Sequence, residues 1–334
     1  MYVKRNYSFW LTFNWSKKPF IYGAIYATIV TLLHVFINDN YGLRLILPWN
    51  PIGIMGITVA FYLGFKNNAS YDRTWEARKI WGGIVNNSRS FGLAVNAFVQ
   101  GPDSDAVKKQ LIYRHIAWLT ALRYQLRVSR EWEHNEDRIK GQFYPETSDK
   151  FFDKLDKDLL HYLSEEEINL FIKKANPAVQ ILKNQGIFLQ KLHDEGYFND
   201  FRHMELHKLM TTFYDEQGKS ERIKNFPFPR QYASAALWQA VIFSALIPFG
   251  LLEVLSDKEY NTSFIWLNIP LTGLIIWVFF LMEKIGDYSE NPFEGSYNDV
   301  PITSISRGIE IDLRQMIDDE GIPPPIKSEH GYLM

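Results

Sequence analysis

The chain has 334 residues, a net charge of -2 and no cysteine, with 22% charged and 16% aromatic residues. Disulfides, thiolate metal sites and cysteine nucleophiles are therefore excluded, and so near-neutral a charge argues against nucleic acid as the main partner, which needs a clustered basic surface. A mean hydropathy of -0.20 looks soluble on average, but the apolar residues gather towards the two ends of the chain and the charge gathers in the middle, so two different solvents are implied.

Residues 1–19 form an N-terminal segment with Lys4, Arg5, Lys17 and Lys18. The first membrane-spanning helix is expected over Phe20 to Ile37, which carries one histidine, His34, and no formal charge. It has no small-residue cleavage site after it and reads as a retained helix. A link with Asp39 and Arg44 leads to a second uncharged stretch, Leu45 to Phe65, so that residues 20–65 hold transmembrane helices one and two.

Within the second stretch Ile57, Phe61 and Phe65 recur at i, i+4 and i+8 and make one bulky apolar stripe. One position earlier Gly56, Ala60 and Gly64 make a small-residue stripe of the kind that admits a close helix neighbour. Two functions are open for the bulky stripe: facing lipid, or lining a pore. The segment from Gly64 to Ser90 contains no proline, so the helix is expected to run on beyond the bilayer, either unbroken or as two closely joined pieces. Just past the membrane edge stand Lys66, Asn67, Asn68 and Arg73, a polar set suited to the inner end of a pore.

Residues 66–231 read as amphipathic helices in a cytosolic region. Ala106 to Arg127 places Leu111, Trp118, Leu119, Leu122 and Leu126 near one face. Ser164 to Glu167 is a capping box opening a helix that Asn176-Pro177 should end, and the stretch 218–231 is expected as turn or linker. No strand alternation of useful length is present. His193, His203 and His207 could begin a metal site, although their order is not that of a zinc protease, and a polar helix face accounts for them more simply.

Residues 232–282 hold two further spans, Tyr232 to Leu255 and Phe264 to Met282, joined by SDKEYNTS. Residues 283–334 form a C-terminal segment whose end, GIPPPIKSEHGYLM, is expected to be disordered. Lys and Arg crowd the N-terminal flank, the ends of the middle region and Lys284, whereas the two short links carry only Arg44 and Lys258. By the positive-inside rule both termini and residues 66–231 face the cytosol. The fold class is thus all-α, an integral membrane protein with four transmembrane helices per protomer and a large cytosolic helical region.

The spacing of Gly64, Phe65, Arg73 and Trp75, the run YDRTWEARKIWG, the run RHIAWLTALRYQLR from Arg114, the pair Pro229 and Tyr232, and Asn291-Pro292-Phe293 fall in one order along the chain. Together they resemble the bestrophins in their bacterial form, over nearly all the sequence up to Asp312. The resemblance implies a homopentameric ion channel, not an enzyme, in the cell inner (plasma) membrane, passing chloride and other small anions. It places Ile57, Phe61 and Phe65 at the pore neck, and a cytosolic aperture at Ile181, with Ala178 as the alternative. Calcium-activated animal members carry an acidic run after the Asn-Pro-Phe motif; here the run is EGSYND, which leaves Glu294 and Asp299 and too few carboxylates for calcium gating. No cofactor or metal is expected. A cation-selective channel of the same family, a non-conducting scaffold, and a membrane-anchored enzyme using the histidines for a metal remain as rival readings.

Overall fold

The computed structural model describes residues 1–134, 154–256, 262–296 and 298–334; most of the link SDKEYNTS, with Lys258, lies outside them. The described residues form helices with no strand beyond isolated bridges. They divide into two compact units, one of residues 4–72 and 228–290, the other of residues 1–3, 73–227 and 291–334.

The first unit contains α1 (Phe9–Tyr41), the opening of α2 (Trp49–Phe98), α8 (Arg230–Leu255), a 3-10 turn (Thr262–Leu267) and α9 (Asn268–Asp287). Length and apolarity allow α1, α8 and the 3-10 turn with α9 to cross a bilayer. The uncharged part of α2 is not among them; within the helix it runs only from Trp49 to Phe65 before Lys66, Asn67 and Asn68 follow. Ser8 caps α1 by accepting from the Leu11 amide, and Gly42 closes it in the left-handed region at φ 63°.

Small residues set the helix spacing. A Cβ on Gly23 of α1 would stand 2.9 Å from Ile276 Cδ1 and 3.4 Å from Gly273 Cα of α9, so these two helices cross at backbone distance. Several polar groups inside this unit are paired with one another: Asn268 Nδ2 donates to Thr31 Oγ1 at 3.0 Å, Thr272 Oγ1 donates to Asn268 Oδ1 at 3.0 Å, and Trp277 donates to Ser16 Oγ at 2.8 Å. The outward faces are apolar instead, with Tyr22, Ile25, Ile29 and Phe36 of α1 all more than half exposed. That inversion suits a lipid solvent.

The second unit holds the remainder of α2, which is one unbroken helix from Trp49 to Phe98, and α3 (Ser104–Arg127), α4 (Leu155–Leu159), α5 (Glu165–Phe171), α6 (Pro177–Asp194), α7 (Asp200–Asn225) and α10 (Ile302–Met316). Ser164 caps α5 by accepting from the Glu167 amide, while the Glu167 carboxylate binds Arg114, so only the serine half of the box forms. Asn176-Pro177 does not end that helix, which stops at Phe171. Asn176 accepts from the Val179 amide and Pro177 occupies the first helical turn, so the pair starts α6. The expected linker 218–231 is likewise mostly helix, with only residues 226–229 outside α7 and α8.

The chain end expected to be disordered is paired. Val3 N donates to Gly331 O at 2.9 Å, Leu333 N donates to Met1 O at 2.8 Å, and Tyr332 is 5% exposed. Its apolar Tyr332 and Met334 find buried places that a count of prolines upstream does not reveal.

At the centre of this unit the His115 ring lies among Phe91, Trp118 and Phe213, with ring centroids 4.5–5.1 Å from it. Its Nε2 meets Ser88 Oγ at 2.9 Å. Burial pulls the imidazole down from 6.5 to about 3. The native state therefore holds it neutral, and its contribution to stability is complete above about pH 6.5 and is lost as pH falls from there towards 3. Thermal melts between pH 7 and 4.5 should show wild type losing stability by up to about 1.4 kcal/mol per pH unit from this group. A His115→Phe variant should lose less over the same interval, and parallel slopes for the two proteins would contradict the buried neutral ring.

Candidate functional site

In α2 the spacing of four places Ile57, Phe61 and Phe65 on one side of the helix, and the structure leaves all three uncovered by their own chain, at 72%, 69% and 60% exposure. Phe61 and Phe65 meet edge to face, with centroids 4.6 Å apart and ring planes at 82°. Ile54, one turn before Ile57 and 67% exposed, extends the same side. The sequence offered the signal for it at i-3, outside the strict interval of four. On the opposite side Val59 and Leu63 are buried with Ile247 and Phe243 of α8.

The small-residue stripe divides. A Cβ at Gly56 would come within 2.7 Å of Phe243, so its close neighbour belongs to the same chain. Ala60 is half-buried, and nothing stands within 4 Å of a Cβ built at Gly64. Only the Gly64 end is free to receive another helix.

The polar set below the stripe is mostly structural. Lys66, expected at the inner pore, has a side chain 1% exposed; its Nζ lies 2.9 Å from Glu283 Oε1 and 3.8 Å from Asp287 Oδ1. Its charge is neutralised inside the chain and cannot face a pore, since an ammonium buried by its own chain needs such partners. The sequence held the clue in Glu283 and Asp287, one helical turn apart at the end of the fourth span. Arg73 donates to the carbonyls of Ile223 and Phe226 at 3.1 and 2.8 Å and so closes the C-terminal end of α7. Asn67 is half-buried, and Asn68 alone of the four is exposed.

The expected aperture residues lie in the core. Ile181 is 1% exposed and Ala178 is fully buried, because the apolar side of α6 packs into the second unit. The exposed positions of α6 are Lys183, Ile187, Gln190, Lys191 and Asp194. Neither Ile181 nor Ala178 can line an opening.

The loop after α9 is organised by one carboxylate. Asp299 accepts from the backbone amides of Phe293, Gly295 and Val300 at 2.8, 2.7 and 2.6 Å, while Arg127 Nη1 lies 2.6 Å from its Oδ2, both side chains 1% exposed. Phe293 takes φ 73° and Gly295 φ 94° to aim those amides inward. Glu294 faces His134 Nδ1 at 3.2 Å. The two acids left by EGSYND therefore already have donors, and a guanidinium stands where the carboxylate would otherwise need a cation. Arg127 went unnoticed because it ends an apolar helical face where a basic residue complements the helix dipole anyway. Beside it Lys224 and Glu133 form a second buried pair, burial pulling the lysine down and pushing the carboxyl up.

The three histidines lie side by side, with ring centroids 5.0 Å apart for His193 and His203 and 6.2 Å for His203 and His207. His193 Nε2 meets Asp200 Oδ1 at 2.7 Å and His203 also stacks on Phe198, and among the described residues no cluster of three His, Cys, Asp or Glu side chains is arranged to hold a metal ion. His34 is 3% exposed and accepts from the Leu45 amide, a packed histidine at the end of α1.

Comparison with known proteins gives a consistent result. The family described as Bacterial/Fungal Bestrophin protein matches residues 17–315. The "Voltage-dependent anion channel-forming protein YneE" of Escherichia coli K12 is 28% identical over 330 residues, covering 96% of this chain and 97% of its own. A Synechocystis protein, "Voltage-dependent anion channel-forming protein sll1024", is 25% identical over 321 residues, 96% of this chain and 94% of its own. Among solved structures, a bacterial bestrophin homolog from Klebsiella pneumoniae superposes with a TM-score of 0.75 at 21% identity, covering 91% of this chain and 98% of that one. At that identity the likeness speaks for the fold.

Removing one member of the Arg127–Asp299 pair should expose how much the loop depends on it. Arg127→Met and Asp299→Asn are each expected to destabilise by about 3–5 kcal/mol in denaturant melts, the cost of leaving a buried charge unpaired. A calcium chelator should leave the wild-type melt where it is. A chelator-sensitive melt would show that a cation, and not Arg127, completes the loop.

Proposed function

The chain belongs to the bacterial and fungal bestrophin family, and on that premise we propose that it conducts small anions, chloride among them, through a pore that five copies enclose with their α2 helices. The observation that carries this reading is the stripe of Ile57, Phe61 and Phe65 that α2 leaves uncovered by its own chain. Large apolar side chains left bare by their own chain call for another surface or for a narrow axis. One helix cannot enclose a pore, so the stripe serves as a neck only in a closed ring. The Gly64 end, with nothing within 4 Å of its Cβ position, gives the neighbouring copy room to approach.

Anion preference has a physical source at such a neck. An aromatic ring is negative on its face and positive on its edge, and Phe61 and Phe65 already meet edge to face. Edges turned to the axis offer a weak positive potential, and weak binding is what conduction requires, since an ion must leave as readily as it enters. An apolar ring of this kind also gates by dewetting. Lys66 plays no part in the field of the neck, its charge being spent on Glu283 and Asp287. The names of the relatives describe anion channels, which supports the anion reading over a cation-selective channel of the same family. The basic flanks support an orientation with both termini and residues 66–231 in the cytosol, and the family supports a place in the inner membrane.

Native mass measurement in mild detergent should give five times the 39.2 kDa chain mass. A monomer that still conducts would sink the ring. In sealed vesicles, chloride flux should exceed sodium flux in wild type. Ile57, Phe61 and Phe65 changed together to Ala should widen the neck and raise the flux severalfold with weaker gating. Sodium flux without chloride flux would overturn the anion reading, and a triple variant indistinguishable from wild type would remove α2 from the neck.

A further inference from the structure

In the unit of residues 1–3, 73–227 and 291–334, a half-enclosed cavity of about 130 Å³ opens between α3, the turn after α4, and α10. Its floor is Ile116 and Leu119, and its walls are polar, with Thr120, Arg123, His161, Tyr162, Thr303 and Arg307 among them. A single water needs only about 10–15 Å³ of such space, so the cavity admits a ligand of several heavy atoms.

The donors here outnumber the acceptors that use them. Arg123 has a side chain 16% exposed, yet its one hydrogen bond among the described residues is a long one, Nη2 to Asp158 Oδ2 at 3.4 Å. Its Nε is closed to solvent and has no partner. A guanidinium nitrogen shut from water without an acceptor is costly. Arg307 touches Glu310 Oε2 at 2.9 Å, and its like charge is felt at Arg123. Both carboxylates of the wall are engaged by other groups. Asp158 Oδ2 accepts from Tyr124 at 2.6 Å, and Glu310 Oε1 accepts from Tyr162 at 2.9 Å and from Arg314 at 3.4 Å. The Thr120 and Thr303 hydroxyls and the His161 ring make no side-chain hydrogen bond to another described residue, which leaves further donors facing the space.

We propose that this cavity is a binding site for a small oxyanion or carboxylate, held by Arg123 and Arg307 and by the two threonine hydroxyls, apart from the neck on α2. The planar fork of Arg123 favours a planar or tetrahedral group of oxygens, which can take two parallel N–H bonds, over a spherical halide. A ligand there joins α3 to α10 by bonds to both arginines, so occupancy stabilises the folded chain according to its concentration relative to its Kd.

Isothermal titration of the intact protein in detergent, at constant ionic strength, with sodium acetate, sodium phosphate, sodium nitrate and glycine tests this. At least one of the three anions should give a saturable isotherm near one site per chain, with a matching rise in the melting temperature. Arg123→Gln and Arg307→Gln should each weaken it tenfold or more. Arg307 is 30% exposed at its side chain, so its variant is the one expected to keep wild-type oligomer mass, and it decides the matter if Arg123→Gln does not fold. The variant with Ile57, Phe61 and Phe65 changed to Ala should bind as wild type does. No saturable binding of any of the three anions, binding of glycine alone, an Arg307→Gln affinity within twofold of wild type, or loss of binding in the neck variant would each overturn the proposal.

Discussion

A row of large apolar side chains that its own chain leaves bare is the constraint on which the arrangement of this protein turns. Ile54, Ile57, Phe61 and Phe65 stand outward from α2 at 60% exposure or more, while the other side of the same helix is held against α8 by Val59, Leu63 and the contact between Gly56 and Phe243. The helix cannot rotate to hide the stripe without giving up that packing, because a change of face would bring bulky side chains against Phe243 where only glycine fits. The stripe is therefore fixed in place, and it awaits an axis or a neighbour. A pore neck built this way needs no precise polar chemistry, only size, shape and the quadrupole of its rings.

The charges near the stripe serve a different end. Lys66 lies directly after the last residue of the stripe, and a free ammonium there would dominate the field of the neck. Glu283 and Asp287 take it out of play within the chain. Arg73, the next cation expected to serve the pore, closes the end of α7 by binding two of its carbonyls. Asp299 follows the same logic in the loop after α9, where three amides and Arg127 meet one carboxylate. A resident guanidinium holds this loop at all times, whereas a bound cation would hold it only when present. Arg123 is held more loosely, with one long bond to Asp158 and an Nε that no described residue meets.

The apolar surface of α1 and the polar pairs inside its unit describe one requirement from two sides. Lipid offers no hydrogen bonds, so Asn268, Thr272 and Thr31 bind one another, and Trp277 binds Ser16. The bulky groups that a soluble protein would bury, such as Tyr22 and Phe36, can then point outward. The second unit obeys the opposite rule and places Trp118, Phe213 and a neutral His115 at its centre.

The sequence by itself determined the helical class, three of the apolar spans and the stripe at Ile57, Phe61 and Phe65, and it allowed a continuous α2 without choosing between one helix and two joined pieces. Each of these follows from local periodicity, from the absence of a proline, or from a run of uncharged residues, and all are properties of neighbours in the chain. It also carried the family, through motifs spread from Gly64 to Phe293. Only the tertiary structure decided which polar residues were free. Lys66 lost its pore role to acids more than two hundred positions away, Ile181 and Ala178 went to the core because α6 packs by its whole apolar side, and Asn176-Pro177 began a helix it was expected to end. The C-terminal tail, polar and proline-rich by composition, was ordered by hydrogen bonds to Met1 and Val3 at the other end of the chain. A charge or a carbonyl has a reach of a few ångströms in space but none along the sequence, so its partner is settled by the fold and cannot be read from its neighbours.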